Sequence, residues 1–179
     1  PQAYTLGPFG KLSIKSNIKV SSTETGVIFG SIVYDVAGSS QDLGRNCVVL
    51  NEIQIDIIEM ILPATTSESN FRTMWAEFEW ENKVAVNTDF TNLKEFLDHV
   101  TAATNMKCLT SDASLQDECG FLAANMYART VFGEDALANI SIEKHANKII
   151  GFIRIRSKTQ GIALSLGEKI TQNQKMPAV

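Results

Sequence analysis

Hydrophobic and polar positions along the chain fall into two textures. In the first, Leu12, Ile14, Ile18 and Val20 alternate with Lys11, Ser13, Lys15, Asn17 and Lys19, the two-residue period of a half-buried strand with one wet face. The polar stretch 21–26 closes on Gly26 and predicts a hairpin turn into a second strand over 27–36. That strand is apolar on both faces, Val27, Phe29 and Val33 against Ile28, Ile32 and Tyr34, which predicts a central place in a sheet. A polar loop over 38–46 leads to another apolar strand at 47–50. Three strands without a helix need a second layer to bury them, so this region is expected to be part of a β-sandwich. Its remaining strands are expected before Pro1, because the chain opens directly into strand-like sequence without an initiator methionine.

The second texture starts near Asn51. Residues 53–62 read as a strand stopped by Pro63, and Thr65 and Glu68 have capping-box spacing ahead of a helix over 67–78. Phe71, Met74, Trp75 and Phe78 fall at i, i+3, i+4 and i+7, one face of that helix, with Phe71 and Phe78 near the middle of the stripe and Trp75 at its edge. Such an edge aromatic is either core or the floor of a surface pocket. Stripes at this spacing usually are core, and periodicity carries the assignment no further. A short strand over 83–87 and an amphipathic helix over 92–104, with Leu93, Phe96, Leu97 and Val100 inward, come next. After a loop over 110–118, segments 121–132, 136–144, 149–156 and 162–166 read as antiparallel strands, with turns at Gly133-Glu134-Asp135 and His145-Ala146-Asn147 and a polar tail after Ile170. The order predicts an α+β fold, an antiparallel sheet with two helices packed on it. The expected organisation is residues 1–51 as the end of a sandwich and 52–179 as the sheet-and-helix unit.

Composition changes this picture little. Of 179 residues 44% are hydrophobic and 20% charged, ordinary globular values. The net charge of −4, with Lys and Arg scattered, argues against nucleic acid, which requires a basic stripe. No apolar run reaches the ~18–20 residues of a membrane span, so any membrane contact is expected only through partners. Cys47, Cys108 and Cys119 are odd in number and form no CxxC pair, which fits free thiols in a reducing compartment. The sequon Asn139-Ile140-Ser141 is expected to stay unused there.

Candidate catalytic chemistry is thin. A Cys–His nucleophile pair would need His99 or His145 to meet Cys108 or Cys119. Yet His99 and Asp98, as adjacent helical residues, do not face each other, and His145 lies in a turn. The same four residues lack zinc-ligand spacing, and glycine-rich phosphate loops, a nucleophile elbow and HExxH are absent. The acidic pairs Glu79/Glu81 and Asp117/Glu118 read as solvated surface. The expectation is a non-enzyme without cofactor or metal. Binding residues are better represented. Arg154 and Arg156, two apart on a strand, share a face with Phe152 while Ile153 and Ile155 point the other way. The two arginines are therefore placed to meet carboxylates, either a ligand's or, internally, Glu143 or Glu168. Trp80 reads as packing at the helix-to-strand corner.

Several long strings carry a resemblance. MWAEFEWENKVAVNT (74–88), NMKCLT (105–110), FGEDALANISIEK (132–144) and IRIRSKTQGIALSLGEKI (153–170), with STETGVIFGSIVYDVAG (22–38) and RNCVVL (45–50) upstream, are similar to the C-terminal appendage of the coatomer beta-subunit family. The similarity runs from about Leu12 to Ile170. It implies a subunit of the COPI vesicle coat, peripheral on Golgi membranes in the cytoplasm and acting in Golgi–ER transport. It also implies a β-sandwich subdomain followed by a platform, as in clathrin-adaptor appendages. Such platforms hold an apolar pocket around a tryptophan, where short aromatic, acidic motifs of accessory proteins dock. By position, the resemblance implies that Trp75 and Phe71 form the pocket and that Arg154 or Arg156 meets the motif's acids. A pocket tyrosine of some adaptor appendages corresponds to Ala124, with Tyr127 on the other strand face. The alternative within the same resemblance is an element that docks on other coatomer subunits and has no peptide pocket.

Overall fold

The computed structural model describes residues 3–22, 26–36, 45–115 and 119–175. The amino-terminal region forms two short antiparallel ladders, β1 (Gly26–Ile28) on β4 (Ile53–Ile55) and β2 (Ser31–Tyr34) on β3 (Asn46–Val49). The expected strand over 12–20 is not one. It pairs with nothing among the described residues, and only Val20 reaches the margin of the core. The expected central strand 27–36 is two pieces that break at Phe29-Gly30 and pair with different partners, and Ile32, Val33 and Tyr34 are exposed. Apolar alternation makes a segment fit for a strand, but a ladder partner and a covering layer make it a buried one. Among the described residues these segments have no covering layer. The expected turn over 21–26 and the loops over 38–46 and 110–118 lie partly outside the described residues.

Residues 53–62 are not one strand either. Asp56 accepts a hydrogen bond from the Ile58 N–H, and a 3₁₀ turn, Ile57–Met60, separates β4 from β5 (Ile61–Pro63). Beyond it lie α1 (Glu68–Glu77), β6 (Trp80–Ala85), α2 (Leu93–Thr104), β7 (Lys107–Cys108), β8 (Phe121–Thr130), β9 (Asp135–His145), β10 (Lys148–Ser157) and α3 (Gln160–Asn173). The sheet is antiparallel throughout, ordered β5-β8-β9-β10-β6, with the two residues of β7 also on β8. The fold is α+β, as the order of elements predicts. One face carries α2 and α3 over the main core, where Met126, Ile140, Ile153, Ile155, Phe96 and Leu166 are among the fully buried side chains. The other face carries α1, seated by Phe71 and Phe78 on Tyr127 and Leu137.

A third helix stands where a strand over 162–166 is expected. Ile162, Leu164 and Leu166 alternate like a strand, but Leu164 is exposed, and Ile162, Ala163, Leu166, Gly167 and Ile170 are buried at helical spacing. Gly167 is the contact that lets α3 lie on β6, since a Cβ there would stand 2.1 Å from Asn82 Nδ2, which donates to the Ala163 carbonyl. The α1 cap also differs. Ser67, not Thr65, accepts the hydrogen bond, 3.2 Å from the Asn70 N–H.

Candidate functional site

Three strands meet α1 at one cleft. Strand alternation puts Asn125 and Tyr127 (β8), Leu137, Asn139 and Ser141 (β9), and Phe152, Arg154 and Arg156 (β10) on the α1 face, because their neighbours Ala124, Met126, Ala138, Ile140, Ile153 and Ile155 fill the core on the opposite face. In register, one row across the sheet reads Asn125–Asn139–Arg154–Lys83 and the next Tyr127–Leu137–Arg156–Glu81. Helix α1 covers the second row and leaves the first open. Phe71, Arg72, Trp75, Asn125, Asn139 and Arg154 line the resulting cleft of about 330 Å³.

Trp75 stands between the two roles its place on the stripe leaves open. It is half-buried, packs at the edge of the α1 cluster, and stacks on Phe71 with centroids 5.7 Å apart and planes 19° from parallel. Phe71 itself is buried. The arginines divide sharply. Arg156 donates through Nε to Glu81 at 2.7 Å and through a terminal nitrogen to the Trp75 carbonyl at 2.5 Å, and its guanidinium lies 5.1 Å from the Trp75 ring centroid. It does pair internally, but with Glu81 rather than the Glu143 or Glu168 expected. The Arg154 guanidinium has no partner among the described residues. Arg72 pairs with Glu68 one turn back, and Lys83 lies over the Phe152 ring at 3.7 Å. The open row is therefore a donor-rich, cationic strip on a chain of net negative charge.

Ala124, the position that the resemblance sets against a pocket tyrosine, is buried on the opposite face of the sheet. Asn125 faces the cleft instead. Asn125 and Asn139 escape a reading by hydrophobic period; the available signal is an amide at mid-strand, directly across from another, on a face whose neighbours are apolar. Tyr127 lies beneath α1, where its hydroxyl donates to Asp135 at 2.6 Å. Burial and that hydrogen bond push its pKa up to about 12. Trp80 stands at the helix-to-strand corner but is nearly half exposed rather than packed, and alternation turns it to the face of Asn82 and Val84, away from the cleft.

The residues weighed for catalysis are dispersed. His99 packs on Phe90 and shares a hydrogen bond with the Asn173 carbonyl, and His145 is exposed at the end of β9. Cys108 donates to the Thr110 carbonyl, and burial raises its thiol pKa, which works against thiolate formation. Cys47 and Cys119 are exposed free thiols. Among the described residues no His, Cys, Asp and Glu cluster to hold a metal, and no helix is long and apolar enough to cross a membrane.

Family models match nearly the whole chain. The model of the coatomer beta subunit appendage platform covers residues 44–170, and that of the coatomer beta C-terminal region covers residues 1–36. The chain is 65% identical over 176 residues to coatomer subunit beta-1 of Arabidopsis thaliana, 57% over 180 to coatomer subunit beta of Rattus norvegicus and 55% over 179 to that of Drosophila melanogaster. Each alignment takes in 98% of this chain and 18%, 19% and 18% of the respective relative. The chain thus spans less than a fifth of the length of the curated relatives it matches.

Proposed function

The chain belongs to the coatomer beta-subunit family, and from that premise we infer that it serves as a non-catalytic appendage of the COPI vesicle coat in transport between Golgi and ER. On this reading residues 1–51 close a β-sandwich subdomain and 52–179 form the platform. The partners are other coatomer subunits and accessory proteins carrying short aromatic, acidic motifs. The protein is cytoplasmic, sits peripherally on Golgi membranes and COPI vesicles, and meets the bilayer only through the coat.

The observation that carries the binding role is the cleft itself, where a half-buried tryptophan stacked on Phe71 stands beside an unpaired arginine. An aromatic side chain of the motif packs on Trp75 and Phe71 while an acidic one meets Arg154. Arg156 belongs to the same site as the group that holds Trp75 in place. Burying one aromatic contributes roughly 1.5–3 kcal/mol and an exposed ion pair at most about 1 kcal/mol. Once association entropy is subtracted, a single site binds at about micromolar affinity or weaker. Many coat copies on one vesicle then supply avidity.

The test is tryptophan emission with acrylamide quenching in a Trp80→Phe background, which removes the other, exposed tryptophan, with and without Trp75→Phe, followed by titration of an aromatic-acidic peptide. The expected result is that the quenchable fraction disappears with Trp75→Phe and that peptide protects it where Trp75 is present. If Trp75 proves inaccessible to quencher and its replacement loosens the fold, the platform is a docking surface within the coat without a peptide pocket.

A further inference from the structure

The polar residues of the open row are wired in one direction. Ser141 Oγ donates to Asn139 Oδ1 at 3.0 Å, and Asn139 Nδ2 donates to Asn125 Oδ1 at 2.9 Å, with a longer contact to the Ala124 carbonyl at 3.4 Å. A backbone carbonyl only accepts, so the Ala124 carbonyl turns the Asn139 nitrogen toward itself and toward Asn125 Oδ1, and the Ser141 hydroxyl, which can donate or accept, donates to the Asn139 oxygen left on the other side. The Asn125 oxygen is committed to Asn139, and the end left over is its N–H₂ donor. That nitrogen has no acceptor among the described residues. The backbone around it is fixed as well, since the Asn125 N–H donates to Thr110 Oγ1 at 2.9 Å and its carbonyl accepts from the Leu109 N–H at 2.8 Å.

We propose that Asn125 is a specificity-determining donor of this cleft, held by the Ser141–Asn139 relay so that its amide N–H₂, together with Arg154, receives a carboxylate of the ligand peptide. This rests on the cleft being a peptide site. The commitment to a carboxylate follows from the company Asn125 keeps. Arg154 lines the same cleft with its charge unpaired, Lys83 continues the row, and no carboxylate stands on the row itself. A ligand with a neutral carbonyl satisfies Asn125 and leaves Arg154 unanswered. A carboxylate answers both, and charge-assisted hydrogen bonds are the stronger kind. Asn139 and Ser141 are positioning residues in this arrangement, acting on the ligand only through the orientation of Asn125.

The experiment follows the Trp75 indole and Asn125 side-chain amide resonances of the ¹⁵N-labelled chain against three peptides. They are acetyl-Asp-Asp-Phe-Ser-amide, acetyl-Asn-Asn-Phe-Ser-amide, and the Asn peptide with a free terminal carboxylate. In the wild type the acidic peptide is expected to shift both resonances and to bind about tenfold more tightly than the neutral one, the equivalent of one charge-assisted hydrogen bond. Asn125→Asp, isosteric but offering an acceptor in place of the donor, removes or reverses that preference. Ser141→Ala, which removes the donor to Asn139 Oδ1 and so loosens the relay, lowers the preference, and Ser141→Thr restores it. The third peptide identifies the source of the carboxylate: binding like the acidic peptide marks a chain terminus, and binding like the neutral one marks an acidic side chain. An undiminished acidic preference in Asn125→Asp, with the Trp75 indole still shifting, overturns the assignment of Asn125 and leaves the peptide cleft standing. A wild-type Trp75 indole that no peptide shifts overturns the cleft and this proposal with it.

Discussion

Arg154 and Arg156 lie on one strand and one face, and they differ only in what stands across from them. Arg156 has Glu81 beside it on β6 and the carbonyl of Trp75 above it, while Arg154 is flanked in register by Asn139 and Lys83. The two-residue period places both on the face of Phe152, and the structure agrees. What each faces depends on the register of two neighbouring strands, which one chain's alternation does not encode. Arg156→Met is therefore expected to cost about 1 kcal/mol and to alter Trp75 emission, because the pair and the contact to the ring are lost together. Arg154→Met should stay within about 0.5 kcal/mol of wild type. Chemical denaturation followed by tryptophan fluorescence separates the two, and equal effects would contradict the division of roles. Tyr127 gives a second residue-scale test. Its phenol is neutral when protonated, and burial together with the bond to Asp135 raises its folded pKa from 10.0 to about 12. The stabilising contribution is thus complete below about pH 10 and is lost as pH rises through the folded value. Denaturation midpoints between about pH 10 and 12 should fall more steeply in the wild type than in Tyr127→Phe. Parallel slopes would show that the phenol does not titrate with unfolding.

At the scale of elements, legibility follows how much of the signal is local. Helix α2 is readable because its inward residues and its Asn92 cap, which accepts from the Glu95 N–H at 3.0 Å, lie within one run of sequence. The long strands β8, β9 and β10 carry a two-residue period over ten or eleven residues each. Helix α3 is misread because Ile162, Leu164 and Leu166 satisfy the strand period over five residues, and the helical stripe emerges only when Ile170 is counted. Gly161 and Gly167, poor helix formers in isolation, reinforce the error, although Gly167 is required by the close approach of Asn82. The start of α1 shows the same ambiguity in miniature, with Thr65 and Ser67 both fit to cap. Ser67→Ala is expected to destabilise the fold by about 1 kcal/mol and Thr65→Ala by much less, measured as shifts in denaturation midpoint. The reverse order would restore the Thr65–Glu68 capping box.

Over the whole molecule, burial is unevenly distributed. The sheet-and-helix unit from Ile57 onward holds every buried hydrophobic side chain among the described residues, while Val27, Phe29, Ile32, Val33, Tyr34, Val48, Val49 and Ile53 are exposed. This contrast bears on the proposed boundary near Asn51. The change of texture is visible in sequence because it is a change of period. How much the two parts depend on each other is not visible, because that is set by a few long-range contacts: β1 on β4 across the boundary, and Val20 at the margin of the core. Three residue pairs in a short ladder, with one half-buried valine, are a small fraction of what holds β8, β9 and β10 between α1 on one side and α2 and α3 on the other. Stability should therefore be partitioned, with local opening of β1–β4 far below the free energy of global unfolding. Native-state hydrogen exchange on the full chain is expected to show strong protection in β8, β9 and β10 and little in β2 and β3. A chain beginning at residue 52 should keep the Trp75 quenching profile and lose no more than about 1–2 kcal/mol. If that shorter chain unfolds, or if β2 and β3 exchange only with global unfolding, the two parts form one cooperative unit. The cleft would then depend on the amino-terminal strands as much as on the sheet that carries it.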